Sequence, residues 1–389
     1  MVKLQFLFTE RFENQPELLA RAPGRVNLLG EHVDYNDGPV LPAAINRAVH
    51  LASARNQREI VHLLASDLGE EVVFRLDTLP DKRDMQGNPL PHWALYPAGV
   101  AWALREAGLE VRGIQALYTS DVPIGAGLSS SAAVEAAFAI TWQALGGWKI
   151  DRMHLARLCQ RAENQYVGVS CGLMDQFASL HGVVDHALYF DTRSLEWQAN
   201  PLPADNDLVI ADSGVSRGLA GSVYNQRRAE CQQAVESLRQ YLPGVNSLRD
   251  VSPTEFAAYS DFLPPIIRKR AEHVVKEIAR VESAVNALKL GKWRSFGAKM
   301  FASHASLRDL YEVSSAELDA LVDIARELPG CYGARLTGAG FGGCTVNLVE
   351  QSQTPDFIRV LQSKYKDRTG RQAKIYSCRA SDGAWIETI

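Results

Sequence analysis

Three separated stretches of this 389-residue chain gather side chains and glycines that could handle phosphate and a hydroxylated substrate. The first, Arg25 to Asn36, places an arginine, two carboxylates and a histidine around a glycine. The second, Pro123 to Ala133, is rich in glycine and serine and runs into an apolar segment. The third, Arg335 to Cys344, is a glycine-dense turn between apolar residues. Together they predict a phosphate-handling enzyme that acts on a small polyhydroxylated molecule.

The glycine- and serine-rich stretch has the composition of an anion-binding loop. Gly125 and Gly127 permit positive φ and a close approach of the backbone to a ligand. Ser129 to Ser131 then enter a predicted helix, whose free N–H groups favour an anion. The alternative is a tight strand-to-helix turn with ordinary serine caps. The P-loop pattern G-x-x-x-x-G-K-[ST] does not occur in the chain, so ATP would need a different cradle.

The third stretch formally matches the dinucleotide pattern G-x-G-x-x-G through Gly338, Gly340 and Gly343. That pattern requires a helix after the glycines, whereas Cys344 to Leu348 reads as a strand. A dinucleotide site is therefore not predicted. The turn is expected to bring backbone close either to a ligand or to another element.

Glu31, His32 and Asp34 supply donors and acceptors that suit sugar hydroxyls. The alternative, a solvated polar loop, is disfavoured because apolar residues flank the acids on both sides, at Leu28 and Leu29 and again at Val40 and Leu41. Farther along, Asp175 has apolar neighbours at positions 173, 174 and 177. A carboxylate there is costly unless it is paired or used, the alternative being a helix N-cap.

Composition narrows the class of protein. The chain is 46% hydrophobic and 22% charged, as globular proteins are. A formal net charge of -4 supplies no general attraction to nucleic acid or to an anionic membrane. The six cysteines are few and widely spaced, so reduced thiols in a cytoplasm are expected, and the lack of a C-x-x-C pair disfavours a zinc site or a redox dithiol. No uncharged apolar run is long enough for a membrane span, and the first residues do not resemble a signal peptide.

The order of predicted elements is that of an α+β protein, and the length suggests two domains. We set the division within 190–225, with domains at 1–205 and 206–389. The clearest elements are a hairpin at 60–65 and 71–76, an almost wholly apolar helix at 131–145, a helix at 151–167 begun by Asp151 as N-cap, long helices at 227–241, 266–290 and 314–328, and strands at 333–336, 344–348 and 373–378.

At these residues the chain resembles a known family. The segment Pro123 to Ala133 and the turn Thr337 to Cys344 are similar to the superfamily of small-molecule kinases named for galactokinase, homoserine kinase, mevalonate kinase and phosphomevalonate kinase (GHMP). The segment Gly24 to Asn36 resembles the galactokinase signature specifically. The resemblance implies an N-terminal α/β domain of the ribosomal-protein-S5 second-domain type and a ferredoxin-like C-terminal domain, with ATP between them.

The resemblance also implies an activity and a set of roles. The activity is transfer of the γ-phosphoryl group of ATP to the 1-hydroxyl of D-galactose, with Mg²⁺ as cofactor. Asp175 would face that hydroxyl, with Arg25 beside it. The implied sugar contacts are Glu31, His32, Asp34, Gly172 and Tyr224. The implied magnesium ligands are Ser131 and Glu163. The implied ATP contacts are Trp93 near the adenine and Gly125, Ala126, Gly127, Leu128, Ser129, Ser130 and Ser131 at the phosphates.

Three departures from the family pattern leave the sugar open. Val33 stands where threonine is usual, Asp37 where glycine is usual, and Ser216 to Leu219 replaces a more basic segment that contains histidine. Kinases for N-acetylgalactosamine or L-arabinose are the alternatives. A sugar-sensing regulator without turnover is disfavoured because Ser129 to Ala133 is intact. The expected partners are a sugar and ATP, without nucleic acid or membrane, and the expected state is a monomer or a weak dimer.

Overall fold

The structure, a computed structural model, describes residues 2–56, 59–123, 125–215 and 220–389, and the side chains of all of these except 220–222. Its helices are α1 Val2–Phe12, α2 Leu95–Glu106, α3 Ser130–Gly146, α4 Arg152–Arg161, α5 Met174–His181, α6 Ala220–Leu238, α7 Pro253–Tyr259, α8 Pro265–Lys289, α9 Trp293–Ser306, α10 Ala316–Glu327 and α11 Thr354–Thr369. Its strands are β1 Leu18–Asn27, β2 Pro39–Val40, β3 Pro42–Arg55, β4 Ile60–Ala65, β5 Glu70–Arg75, β6 Ile114–Ser120, β7 His186–Asp191, β8 Trp197–Pro201, β9 Asn206–Asp212, β10 Cys331–Thr337, β11 Cys344–Glu350, β12 Lys374–Cys378 and β13 Trp385–Thr388.

The described strands form three sheets. The largest has six strands in the order β13-β1-β3-β6-β4-β5, the second has four in the order β10-β11-β9-β12, and the third has three in the order β2-β7-β8. All neighbouring pairs are antiparallel except β4 and β6, which run parallel. The mixture of helices with largely antiparallel sheets agrees with the predicted α+β class, and the predicted hairpin is β4 and β5.

Helix α3 lies at the centre of the part of the molecule built on the six-stranded sheet. It packs on β1 and β3 and is covered by α2, α4 and α5. Its alanine-rich sequence is apolar on nearly every side, as expected for a helix buried all round. The next helix, α4, is capped by Asp151, whose carboxylate accepts the His154 backbone N–H at 2.9 Å. Both helices were predicted from the sequence and are confirmed.

The four-stranded sheet carries α9, α10 and α11. Helix α9 lies unusually close to β10, because a Cβ added to Gly297 would come within 1.8 Å of the Tyr332 carbonyl oxygen. Only a glycine permits that approach. Among the described helices, none combines the length and the apolar composition needed to cross a bilayer.

The second half of the chain supplies strands to both of the larger sheets. Strand β9 begins the four-stranded sheet at Asn206, next to the division expected between 205 and 206. Strand β13, however, pairs with β1 of the six-stranded sheet, with Leu18 opposite Thr388 and Arg21 opposite Trp385. The end of the 206–389 segment therefore belongs to the first sheet in space, and the division into two continuous domains stays a prediction.

Candidate active site

A cleft of about 930 Å³ opens where the three stretches from the sequence meet. The signature segment supplies Arg25, Glu31, His32 and Asp34, and the glycine- and serine-rich loop supplies Gly125 and Gly127 to Ser131. The remaining walls come from the following residues: Glu163, Gly168 to Gly172, Met174, Asp175, Asp212, Gly214 and Val215 at and after the end of β9, Tyr224 and Asn225 on α6, and the turn residues Gly338 and Ala339.

Asp175 is held at the centre of this cleft by two partners. Its Oδ1 accepts from Arg25, with Nε at 2.9 Å and Nη2 at 2.7 Å. Its Oδ2 accepts the Ser129 hydroxyl at 2.6 Å. Asp175 lies in the first turn of α5, and the residue that caps the helix is Leu173, without a side-chain hydrogen bond. The alternative of a helix N-cap aspartate is therefore wrong.

Arg25 joins this carboxylate to the glycine- and serine-rich loop. Its guanidinium is buried, and Nη1 donates to the Gly127 carbonyl oxygen at 2.6 Å. Its backbone N–H donates to the Leu128 carbonyl oxygen at 3.0 Å. The signature segment and the loop are thus connected through one residue, at the position where the sequence expects the reacting groups.

The carboxylate of Asp34 lies deep in the cleft against Gly172. A Cβ added to Gly172 would stand 1.8 Å from Asp34 Oδ2, so no other residue fits there without moving the acid. Burial raises the pKa of Asp34 to about 6, and the neighbouring charge of Asp175 adds to the effect. Near these residues the Tyr224 ring lies 5.6 Å from the ring of His32 and 5.3 Å from that of Tyr35.

Glu31 lines the cleft, but both of its carboxylate oxygens accept hydrogen bonds from other residues of the protein. Oε1 accepts the backbone N–H of Gly338, and Oε2 accepts the side-chain amide of Asn27. Oε2 also lies 3.3 Å from Nη2 of Arg335, which is fully buried. The acid thus ties the signature segment to the glycine turn, a role that the sequence did not predict for it.

The ring of His32 is likewise fixed on both sides. Nε2 lies 3.2 Å from the Ala339 carbonyl oxygen, and Nδ1 lies 2.9 Å from the Tyr35 hydroxyl. A carbonyl only accepts, so Nε2 carries the hydrogen, and Nδ1 accepts from Tyr35. Tyr35 must then accept from the Tyr311 hydroxyl, 2.7 Å away. The expected contact of the imidazole with a sugar hydroxyl would compete with these bonds.

Two residues of α8 complete the framework under the signature segment. Glu277 is fully buried and accepts the Gly30 backbone N–H at 2.9 Å, and Nε2 of His273 lies 3.2 Å from the Glu31 carbonyl oxygen. Nothing local marks these two positions in the sequence. Gly340 shows that the glycine turn also packs tightly, since a Cβ there would lie 2.1 Å from the Val313 carbonyl oxygen. The turn therefore both lines the cleft and contacts a second element.

The glycine- and serine-rich loop has the backbone that an anion cradle requires. Gly125 and Gly127 have φ of 74° and 79°, and Ser129, which precedes α3, has φ of 58°. The side chains of Ala126 and Leu128 are buried, whereas Ser130 and Ser131 line the cleft.

Trp93 lies outside the residues that line this cleft. Its indole N–H donates to Glu70 Oε2 at 2.6 Å, and its ring packs 6.0 Å from that of Tyr118. The contact of Trp93 with adenine stays a prediction.

Glu163 lies in a π-helical turn, Ala162–Val167, that follows α4. Ser131 and Glu163 both line the cleft, and burial is the chief reason that the pKa of the Glu163 carboxyl group is raised. Its Oε2 accepts from Gln176 Nε2 at 2.6 Å and from the Cys171 thiol at 3.1 Å. In the described parts of the chain, no three histidine, cysteine, aspartate or glutamate side chains are grouped so that they could hold a metal ion by themselves.

Two of the three departures from the family pattern have a structural explanation. Val33, within the signature segment, is fully buried and does not line the cleft. Asp37 has φ of 60°, a left-handed conformation that aspartate tolerates, and its carboxylate pairs with Arg193 at 3.2 Å. The third, 216–219, lies outside the described residues.

Known proteins are similar in sequence to this chain over nearly its whole length. A galactokinase of Roseiflexus sp. (strain RS-1) is 49% identical over 381 residues, which cover 98% of this chain and 96% of that relative. The chain belongs to the galactokinase family. A human galactokinase is 43% identical over 382 residues, covering 97% of this chain and 94% of the relative.

Family signatures and a solved structure agree with this membership. The galactokinase galactose-binding signature matches residues 7–55, the N-terminal domain of GHMP kinases 96–183, and the C-terminal domain 284–367. A crystal structure of Lactococcus lactis galactokinase complexed with galactose superposes with a TM-score of 0.92 at 34% identity, covering 99% of both chains. The predicted family and two-domain GHMP-kinase fold are confirmed.

Proposed function

We propose that the protein transfers the γ-phosphoryl group of ATP to the 1-hydroxyl of D-galactose, giving galactose 1-phosphate and ADP. One observation carries the proposal. Asp175 is bonded both to Arg25 of the sugar signature and to Ser129 of the phosphate loop, so a single carboxylate stands where the two substrates would meet. The membership in the galactokinase family and the galactose in the Lactococcus lactis structure support the choice of sugar.

Phosphoryl transfer depends mainly on positioning and on neutralising charge. In our proposal Asp175 accepts the proton of the sugar hydroxyl. Its Oδ1 faces the guanidinium of Arg25, whereas Oδ2 faces only the neutral Ser129 hydroxyl among the partners described above. Oδ2 is therefore the oxygen that would take the proton. Arg25, held by Gly127, is also placed to balance negative charge on the transferred group.

The phosphate loop would receive the triphosphate. Gly125 to Ser129 precede α3, and Ser130 and Ser131 form its amino end, where backbone N–H groups and the helix dipole favour an anion. Left-handed backbone at Gly125, Gly127 and Ser129 turns this loop around the cleft wall. We assign the ATP phosphates to this loop, from Gly125 through Ser131.

We assign Ser131 and Glu163 as the residues that would hold Mg²⁺. Both supply oxygen, which magnesium prefers, and both line the same cleft. A protein usually gives this ion one or two ligands and leaves the rest to phosphate and water. When bound, the ion would neutralise charge on the phosphate oxygens.

On the sugar side, we assign direct contacts to Asp34, to the backbone of Gly172 and to Tyr224. Asp34 can accept hydrogen bonds from sugar hydroxyls, and with Glu31 nearby it would repel a uronate carboxylate. The predicted sugar contacts also include Glu31 and His32. Hydrogen bonds to the glycine turn fix the position of the Glu31 carboxylate and of the His32 ring.

The expected partners remain the sugar and ATP, without nucleic acid or membrane. We also propose a cytoplasmic location, which the six free cysteine thiols support. A monomer or a weak dimer is the proposed state, and light scattering during size-exclusion chromatography would measure it.

A panel of sugars with the purified protein and ATP, followed by ADP release, tests the function. We expect galactose to have the highest kcat/KM, 2-deoxygalactose to be tolerated, glucose to be poor because its 4-hydroxyl points the other way, and galacturonate to be rejected. Faster turnover of N-acetylgalactosamine or L-arabinose would overturn the sugar and leave the kinase. Binding of galactose and ATP without any ADP release would favour the sugar-sensing alternative.

A further inference from the structure

Behind Glu163, a buried amide joins two carboxylates. The side chain of Gln176 is fully buried, and its Nε2 donates to Glu163 Oε2 at 2.6 Å and to Glu135 Oε2 at 3.0 Å. Glu135 is fully buried as well and does not line the cleft. The proposed reaction has no direct use for Gln176 or Glu135, although both are costly groups to bury.

The positions of these residues in the helices connect the amide to the reacting groups. Gln176 directly follows Asp175 on α5, and Glu135 lies one helical turn after Ser131 on α3. Glu163 comes from the π-helical turn after α4. One side-chain amide therefore links three helical segments, each of which carries or adjoins a residue assigned to the site.

The chemistry of the amide explains why glutamine suits this position. A side-chain NH₂ group has two hydrogens, so Nε2 can donate one to each carboxylate. The flipped amide would aim its carbonyl oxygen at both carboxylates and lose both bonds. Leucine or methionine would fill a similar volume but would leave two buried carboxylates side by side without a donor between them.

We propose that Gln176 is a positioning residue for the metal site. Its amide fixes the Glu163 carboxylate, so that the carboxylate faces Ser131 and the cleft, and its place next to Asp175 keeps the metal side in register with the sugar side. This inference rests on the proposed function, because it requires Glu163 to be a magnesium ligand. Groups that hydrogen-bond to a metal ligand typically change metal affinity by about 10–100-fold when they are removed.

The test measures metal binding directly. Mn²⁺ serves as the probe, and electron paramagnetic resonance reports free Mn²⁺ in the presence of ADP, apart from any turnover. We expect Gln176→Met to weaken Mn²⁺ binding by about 10–100-fold and to raise the Mg²⁺ concentration for half-maximal rate by a similar factor. The KM for galactose should change much less. Unchanged Mn²⁺ affinity in a folded Gln176→Met protein would overturn the inference.

Two further variants separate positioning from packing. Asn347→Leu removes another fully buried amide, which donates to the Val209 carbonyl oxygen at 2.8 Å in the four-stranded sheet, and should lower stability without changing Mn²⁺ affinity. Gln176→Asn keeps the amide but shortens it by one methylene. It should weaken Mn²⁺ binding in the same direction, and it replaces the methionine variant if that protein does not fold. Wild-type affinity in Gln176→Asn would count against the inference.

A double-mutant cycle identifies the residue through which Gln176 acts. In a Glu163→Gln background, Gln176→Met should cause no further loss of Mn²⁺ affinity. If Glu163→Gln weakens binding and Gln176→Met adds its full effect to that loss, only the positioning inference fails. If Glu163→Gln leaves Mn²⁺ affinity unchanged, the metal assignment fails and this inference with it, whereas galactose-dependent ADP release still decides the function.

Discussion

On the sugar side of the cleft, Glu31 accepts from Gly338 and Asn27, His32 contacts Ala339, and Gly30 donates to Glu277. On the phosphate side, the loop from Gly125 turns through left-handed residues, and a side chain at Gly125 would meet no atom within 4 Å. The first wall is fixed chiefly by residues about 240 to 310 positions away in the chain. The second wall is shaped chiefly by its own left-handed backbone, with Arg25 holding Gly127 and Leu128 from outside the loop.

Because of this difference, the two walls would bind their ligands in different ways. A sugar has few charges, so its hydroxyls need acceptors that already point in the right direction, and prior ordering lowers the cost of binding. A triphosphate brings its own strong charge and needs backbone donors at a helix end more than fixed side chains. Asp175 touches both walls, through Arg25 on the sugar side and Ser129 on the phosphate side.

The largest effect is expected at the residue that the two walls share. Asp175→Asn keeps the shape of the side chain but removes its charge and its capacity to take a proton. We expect kcat to fall by about 10²–10⁴-fold, as is typical when a general base is lost. Steady-state kinetics measures the fall, and calorimetry should show ATP binding nearly unchanged. A variant that keeps half of the wild-type kcat would exclude Asp175 as the proton acceptor.

A smaller but selective effect is expected at Gly172 on the sugar wall. Gly172→Ala places a methyl group where Asp34 Oδ2 lies, so the carboxylate must move. A displacement of about 1 Å can cost about 10²-fold, and we expect kcat/KM for galactose to fall by that order while the KM for ATP changes little. Gly244→Ala is the matched control, because a Cβ there meets no atom within 4 Å. If kcat/KM fell equally for galactose and for ATP, the sugar wall would not act separately from the phosphate wall.

The sugar wall should also respond to pH through Asp34, whose pKa is raised to about 6. Below that pH the carboxyl group is protonated and loses part of its capacity to accept from sugar hydroxyls. The ionised fraction then falls about tenfold between pH 7 and pH 5, and kcat/KM for galactose should fall in parallel. In Asp34→Asn, kcat/KM for galactose should be low over the whole pH range and should not fall further between pH 7 and pH 5. An unchanged acid limb in that variant would assign the titration to another group.

The smallest effect is expected on the phosphate wall. Gly125 has φ of 74°, and alanine in a left-handed conformation costs roughly 1–2 kcal/mol, although the added methyl would point into open space. We expect Gly125→Ala to raise the KM for ATP by about tenfold and to leave the KM for galactose unchanged. Kinetics with each substrate varied in turn measures both constants. A larger change for galactose than for ATP would contradict the assignment of this loop to phosphate.

The contrast between local and distant contacts also explains which elements of the fold the sequence predicts. The helix at Ser131 to Leu145 and the hairpin of β4 and β5 have strong local patterns and were predicted. Helices α9 and α11 were not, because their apolar residues are interrupted by glycine or by many charges. Strand β13 has four residues and depends on pairing with a strand from the other end of the chain, which no local pattern announces.

For the site, the motifs indicate which residues gather but not how their atoms are used. The sequence brings Arg25, Asp175 and the serine loop together correctly in the cleft. It does not reveal that Glu31 is occupied by Gly338, because that bond depends on tertiary packing. Glu277 and Gln176 were missed for the same reason, since each is a single polar residue inside an ordinary helix.

The pairing of β13 with β1 also orders the steps of synthesis. A ribosome makes Leu18 about 370 residues before its partner Thr388. The edge of the six-stranded sheet beside β1 must therefore wait for the four-stranded sheet to be translated, and closing so long a loop is slow. Since β1 carries Arg25, the strand that presents this arginine gains its second neighbour in the sheet only after the four-stranded sheet has been translated.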